Sequence, residues 1–174
     1  MISSDSRRTD ISEVLGVLTD LTEADCSVWV AGGWGVDALV GRQTREHRDL
    51  DLAVDAAEQT AVVAVLQRRG YRVQTDWRPV RVELSSDSRG WVDLHPVIFD
   101  AAGHGRQAAV GGGHFDYPLD AFGAGTLGGL QVACLSRAQQ LRFHQGYQLR
   151  AVDRHDLALL AELVSPPPRR SGST

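Results

Sequence analysis

The eight residues "RDLDLAVD", positions 48–55, constrain this chain more than any other stretch. Leucine, alanine and valine mark a short buried strand, yet Asp49 and Asp51 stand two apart within it. Side chains at i and i+2 leave a strand on the same face, so both carboxylates converge while Leu50 and Leu52 enter the core. Acids are poor strand formers and costly to bury unpaired. A strand carrying two of them on one face therefore calls for cations opposite it. Hard oxygen ligands at this spacing suit Mg²⁺ bridging a triphosphate, and a pair of such ions serves in-line displacement at phosphorus.

The rest of the composition narrows the class. At 174 residues the chain is expected to form one α+β domain over residues 1–164, with a disordered tail over 165–174 ("SPPPRRSGST"). The formal net charge of −4 disfavours a general nucleic-acid binder. Cys26 and Cys134 have neither metal-ligand spacing nor a disulfide framework and read as reduced core thiols. No apolar run reaches membrane-spanning length, and "MISSDSRRTDISEVLG" lacks a signal-peptide pattern, so a cytoplasmic location is expected. All 18 basic residues are arginine. Without lysine there is no P-loop and no lysyl covalent intermediate.

Along the chain, Ile11, Val14, Leu15, Leu18 and Leu21 fall at helical spacing. "SVWVAGG" reads as a strand ending in a diglycine turn, and "WGVDALVG" as a short helix closed by Gly41. A helix over "AAEQTAVVAVLQRRG" stops at Gly70, and three strands follow in "YRVQTD", "VRVELSS" and "GWVDLHPVIF". Residues 101–129, which hold nine of the 18 glycines, read as loops with a short hairpin. "LQVACL" is a further strand. Ser136 with Gln139 forms a capping box for a helix over "RAQQLRFHQGY", and Asp153 caps a last helix reaching Val164. The pattern is a mixed sheet with flanking and C-terminal helices.

Around the acid pair, other residues supply complementary chemistry. Gly32 and Gly33 free backbone N–H groups at a helix start, where a phosphate can approach closely. Asp93 lies in the middle of an apolar strand, with Trp91 and His95 on its face. If that strand neighbours residues 48–55, Asp93 joins the pair as a metal ligand or as general base, and Glu83 is a second candidate for the base. Arg42, Arg45, His47 and Arg48 precede the acids and suit phosphate oxygens. Trp77, Trp91 and Tyr117 are candidates for an aromatic wall around a small molecule.

Assembled, "GGWGVDALVGRQTREHRDLDLAVD", "GYRVQTDWRPVRVEL", "GWVDLHP" and "CLSRAQQLRFHQGYQLRAVDRHDLALL" resemble the DNA polymerase β-type nucleotidyltransferases, and within them the small lincosamide nucleotidyltransferases. The likeness is collinear over roughly residues 12–160 and weakest over the glycine-rich 101–129. It implies transfer of a nucleoside monophosphate, usually AMP from ATP with Mg²⁺, to an antibiotic hydroxyl. It implies Asp49 and Asp51 as metal ligands, Asp93 as third acid and base, and Gly32, Gly33 and Trp34 as the nucleotide turn. Trp77, Arg81, Glu83, His95, His144 and Tyr147 also fall in matching positions, with Trp77, Glu83, His95 and Tyr147 assigned to the substrate. His144 and His155 read, on their own, as hydrogen-bonded packing residues. The family's habit of pairing subunits implies a homodimer, and neither nucleic acid nor membrane is an expected partner. The readings carried beside this one are an aminoglycoside 2''-adenylyltransferase, a catalytically silent nucleotide-binding module, and nucleotide transfer to a protein or tRNA.

Overall fold

The structure, a computed structural model, describes residues 8–163; the expected tail and Val164 lie outside the described residues. Helix α1 (Ile11–Glu23) starts where the Asp10 carboxylate accepts the Glu13 backbone N–H at 2.9 Å, and it buries Val14, Val17 and Leu21. Strand β1 (Val28–Val30) leads directly into α2 (Gly32–Val40), which Gly41 ends in the left-handed region at φ +86°. After β2 (Asp49–Asp55) come α3 (Gln59–Arg68), β3 (Arg72–Trp77), β4 (Arg81–Ser86) and β5 (Gly90–Phe99). Then follow β6 (Gly105–Ala108), β7 (His114–Tyr117), β8 (Phe122–Leu127), β9 (Leu130–Leu135), α4 (Arg137–Phe143) and α5 (Ala151–Glu162).

The sheet runs β3-β4-β5-β2-β1-β9-β8, with β6 paired to the end of β5 and to β7. The β2–β5 and β1–β9 pairs are parallel and the other pairs antiparallel. This is the mixed sheet expected, with β2 central because both of its faces have work. Leu50, Leu52 and Val54 join Leu84 and Leu94 under α1, α2 and α3, all five fully buried. The face carrying Asp49, Asp51 and Ala53 looks the other way. There Ala53, Val97 and Leu135 meet Tyr117 of the β6–β7 hairpin. Among the described residues no helix is long and apolar enough to cross a membrane.

Four expectations are corrected. The diglycine is not a turn before α2 but its first two residues. Residues 101–129 do hold the short hairpin expected, β6–β7, but also a further strand, β8, whose glycines obscure the alternation that marks a strand. Helix α4 stops at Phe143 instead of running to Tyr147. Asp153 is not the cap of α5: it stands three residues inside, accepting from the Arg150 backbone N–H at 2.7 Å and from its guanidinium at 3.0 Å.

One buried ion network ties α1 to the sheet. Glu13 accepts from Arg69 (2.7 Å), Arg89 (2.9 Å) and the Tyr71 hydroxyl (3.1 Å), and Arg69 also reaches Asp20 at 2.7 Å. Burial lifts the Glu13 carboxyl, but these donors outweigh it and hold its pKa below the ordinary glutamate value. Removing Glu13 strips the buried Tyr71 hydroxyl and one side of Arg69 of their partner, although Arg69 keeps Asp20 and Arg89 reaches solvent. Glu13→Ala is expected to cost about 3 kcal/mol in denaturant unfolding. Because the folded-state pKa is depressed, this contribution is complete above the ordinary glutamate range and is lost as pH falls through the depressed value. In wild type the acid side of the stability profile should therefore drop away more steeply than in Glu13→Ala.

Candidate active site

Pairing in register assembles the acids. Asp51 stands opposite Asp93 across the parallel β2–β5 pair, and Asp93 opposite Glu83 across β5–β4. Three carboxylates thus form one row over three strands, with Asp49 a step along β2 beside Trp91. The ligating atoms of Asp51, Asp93 and His95 lie within 4.8 Å of one another. The compact group therefore contains His95, where the sequence reading had Asp49 as the third member. His95 Nε2–H donates to Asp51 Oδ1 at 3.1 Å, and Arg81 donates to Asp93 Oδ2 at 3.0 Å. The Arg81 guanidinium in turn lies 5.1 Å from the centre of the Trp77 ring.

The charge balance of this group fits a cation. Asp93 Oδ1 is buried with no hydrogen-bond partner. Burial first, then the Asp51 carboxylate, push Asp49 up to about 6, with Arg48 pulling the other way. Burial also raises Asp93, only partly offset by His95 and Arg81. For His95, burial disfavours the charged ring, but Asp51 and Asp93 outweigh burial and hold its pKa above the ordinary histidine value. Converging acids with an orphan oxygen are a hard, divalent-cation donor set. Glu83 is less available: Arg48 donates to one of its oxygens at 3.3 Å and Thr75 to the other at 3.2 Å.

Beside the acids lies the start of α2. The Ala31 backbone N–H donates to the Asp51 carbonyl at 2.9 Å, fixing the helix start onto β2. Gly32 has φ +55°, and a Cβ there would fall 2.2 Å from Asp51 Oδ2. A Cβ on Gly33 would meet Arg45 and His47 at 2.4 Å. The first turn of α2 therefore presents bare backbone to the acids.

The neighbouring residues differ in how far packing leaves them open to the cleft. Trp34 is 1% exposed and belongs to the core, so it is not brought to the site. His47 is buried against Trp34, ring centres 4.4 Å apart, and donates from Nε2 to Asp37 at 2.6 Å. Arg45 forks onto Asp156 of α5 at 2.8 and 3.0 Å. Arg42 is exposed and does not reach the cleft.

A cleft of about 640 Å³ opens over Asp49, Asp51 and His95, between the start of α2, the β6–β7 hairpin and the α4–α5 segment. Gly32, Gly33, Arg45, His47, His144 and Tyr147 line it, as does Arg150. His144 also accepts its expected packing role, Nδ1 lying 2.7 Å from the Gln140 carbonyl oxygen, and His155 bonds Thr44 at 3.1 Å. The aromatic side of the cleft is not the expected one. Tyr117 is present, but its companions are Phe115 and Phe143, packed edge-on at 5.6 Å, while Trp77 and Trp91 lie outside on the β3–β5 half of the sheet. Phe115, Phe143, Gln107 and Arg150 went unread. The alternation of Phe115 with Tyr117 was the signal available for the first.

In-register strand carboxylates beside a bare helix start define a nucleotidyltransferase-type fold and site. Comparison with known proteins makes the assignment specific. The family model for aminoglycoside-2''-adenylyltransferase matches residues 13–160, and the chain belongs to that family. It is 34% identical over 152 residues to the lincosamide resistance protein of Staphylococcus haemolyticus, covering 87% of this chain and 94% of that protein. The lincomycin-bound crystal structure of the lincosamide antibiotic adenylyltransferase LnuA superposes with a TM-score of 0.82 at 33% identity, over 91% of this chain and all of that one. ANT(2'')-Ia in complex with adenylyl-2''-tobramycin shares the fold, with a TM-score of 0.71 at 18% identity over 87% of each chain. This protein is accordingly a nucleotidyltransferase.

Gly32 offers a direct check on the site's geometry. Gly32→Ala is expected to displace Asp51 and lower turnover about a hundredfold in steady-state assays.

Proposed function

We propose that this protein transfers AMP from ATP to a hydroxyl of a lincosamide antibiotic in a Mg²⁺-dependent reaction, inactivating the drug. The observation that carries the reading is the in-register row of Asp51 and Asp93, with Asp49 beside it, against the glycine start of α2. The near full-length likeness to lincosamide-modifying relatives supports the acceptor.

Asp49, Asp51 and Asp93 would hold the ions, whose chemistry is to neutralise the triphosphate and polarise the phosphorus under attack. The backbone N–H groups of Gly32 and Gly33 receive phosphate oxygens at the helix start. Arg150 lines the same cleft and can meet a phosphate oxygen, and Tyr147, also in its lining, is assigned to the substrate. In-line displacement places the incoming hydroxyl opposite the departing pyrophosphate. With the pyrophosphate at α2, an in-line geometry would set the acceptor toward β5, β4 and β3, near Asp93, Glu83 and Trp77, at the edge of the cleft. Asp93 takes the hydroxyl proton; its orphan oxygen and raised pKa suit a base, whereas both Glu83 oxygens are already engaged.

The acceptor half also favours a lincosamide over an aminoglycoside. Beyond Asp93, Glu83 is held by Arg48 and Asp76 by Arg78 on this half, which leaves fewer free anions for a polycationic aminoglycoside. Trp77 and Trp91 lie under arginines on the same half.

The test is pyrophosphate release from ATP and Mg²⁺ against lincosamides and aminoglycosides, with product masses. Lincomycin or clindamycin should gain the mass of an AMP group. Gain by an aminoglycoside alone would replace the acceptor, and nucleotide binding without release on any acceptor would favour a silent binding module. Asp49→Asn and Asp51→Asn are each expected to lower transfer by about 10³-fold with unfolding midpoints near wild type.

A further inference from the structure

A chain of hydrogen bonds runs from the acid row into the β6–β7 hairpin. His95 Nε2 lies 3.1 Å from Asp51 Oδ1, Gln107 Nε2 lies 3.3 Å from His95 Nδ1, and the Tyr117 hydroxyl lies 2.6 Å from Gln107 Oε1. Gln107 and Tyr117 are both buried, at 8% and 1% exposure.

The direction of the chain follows from its acidic end. An ionised carboxylate only accepts, so Asp51 requires the proton on His95 Nε2. In its neutral form, the form present under alkaline conditions, the ring then offers a lone pair at Nδ1, and of the two ends of the Gln107 amide only the NH₂ can meet it. That leaves Gln107 Oε1 to accept from the Tyr117 hydroxyl. Reversed, the chain would set the Nε2 lone pair against the Asp51 carboxylate and leave a buried Tyr117 O–H without an acceptor.

We infer that Gln107 and Tyr117 are positioning residues that hold His95 in its Nε2–H form, so that His95 orients Asp51 and is not itself a metal ligand. This rests on the reading of the acids as a cation site. A ring nitrogen carrying a proton has no lone pair for a cation. His95 thus lies within ligand distance of Asp51 and Asp93 yet serves as the group that aims a ligand, a division of labour common around metal centres. The hairpin can reach so far because residue 105 is glycine: a Cβ there would fall 2.4 Å from Val97 and 3.1 Å from Tyr117. The glycine-rich segment is therefore joined to the catalytic acids by two side chains.

The tautomer can be read directly. The full chain, ¹⁵N-labelled at histidine, is observed by long-range ¹H–¹⁵N NMR at mildly alkaline pH without nucleotide or acceptor, with His95 assigned by its loss in His95→Asn. The expected spectrum shows a protonated Nε2 and a bare Nδ1, unchanged on adding Mg²⁺. In Gln107→Leu and Tyr117→Phe a second tautomer should appear. Their kcat should fall about tenfold or more while the nucleotide KM stays within about twofold, and Tyr117→Phe should melt close to wild type. A proton on Nδ1 in wild type, loss of the Nε2 proton on adding Mg²⁺, or both variants keeping one tautomer and full kcat would overturn the inference. Since the spectrum requires neither substrate, an inactive antibiotic panel with the expected tautomer would remove the proposed function and leave the positioning chain standing.

Discussion

The parallel pairing of β2 with β5 sets Asp51 opposite Asp93, and the acidic face is built outward from that one register. Strand side chains alternate, so a slip of one residue would send Asp93 into the core and bring Leu94 to the cleft. The hydrophobic face enforces the register: Leu50, Leu52, Val92 and Leu94 are fully buried between the sheet and its helices. Burial of four such side chains, each worth about 2 kcal/mol, is the force that holds mutually repelling carboxylates side by side. The acids do not stabilise their own arrangement; the leucines beneath them do.

Much of this was legible because two independent periodicities agreed. Leu50 and Leu52 marked one face of β2 and Asp49 and Asp51 the other. Trp91, Asp93 and His95 repeated the pattern on β5, so both the strands and their chemical face could be read. The helix α1, with its apolar stripe, was equally plain, although its Asp10 cap was seen only in the structure. What escaped had a physical reason. In β8 glycines interrupt the alternation and β6 and β7 are only four residues each, so ladder pairing with their neighbours defines the strands. Trp34 suggested a ligand contact by residue type but is enclosed at 1% exposure, whereas Arg45 and His47 line the cleft while also bonded to Asp156 and Asp37. Residue type announces capability, while the partner across space assigns it.

The distribution of charge follows a consistent logic. With arginine as the sole basic side chain besides histidine, acids outside the reactive row are commonly met by a guanidinium: Glu13 by Arg69 and Arg89, Asp153 by Arg150, Asp156 by Arg45. The Arg150 guanidinium and backbone N–H hold Asp153 down to about 2. Asp49 moves the opposite way, up to about 6, because burial and neighbouring acids outweigh its single arginine at 4.0 Å. Carboxylates of one chemical type are thus divided into structural anchors and a strained, electron-rich group by what surrounds them.

The strand order also shapes how the chain must acquire its fold. Strand β1, which carries the approach to α2, lies between β2 and β9, and Val30 meets Cys134 from the far side of the described sequence. The central sheet is therefore incomplete until β9 has been made. During synthesis the β1 edge emerges early and waits, unpaired, while the intervening residues are added. Contacts of such long sequence separation slow folding and expose strand edges to other chains. The same topology that brings the glycine start of α2 beside the acids makes β9 the closing piece, so the β1 edge is sheltered only once β9 has been added.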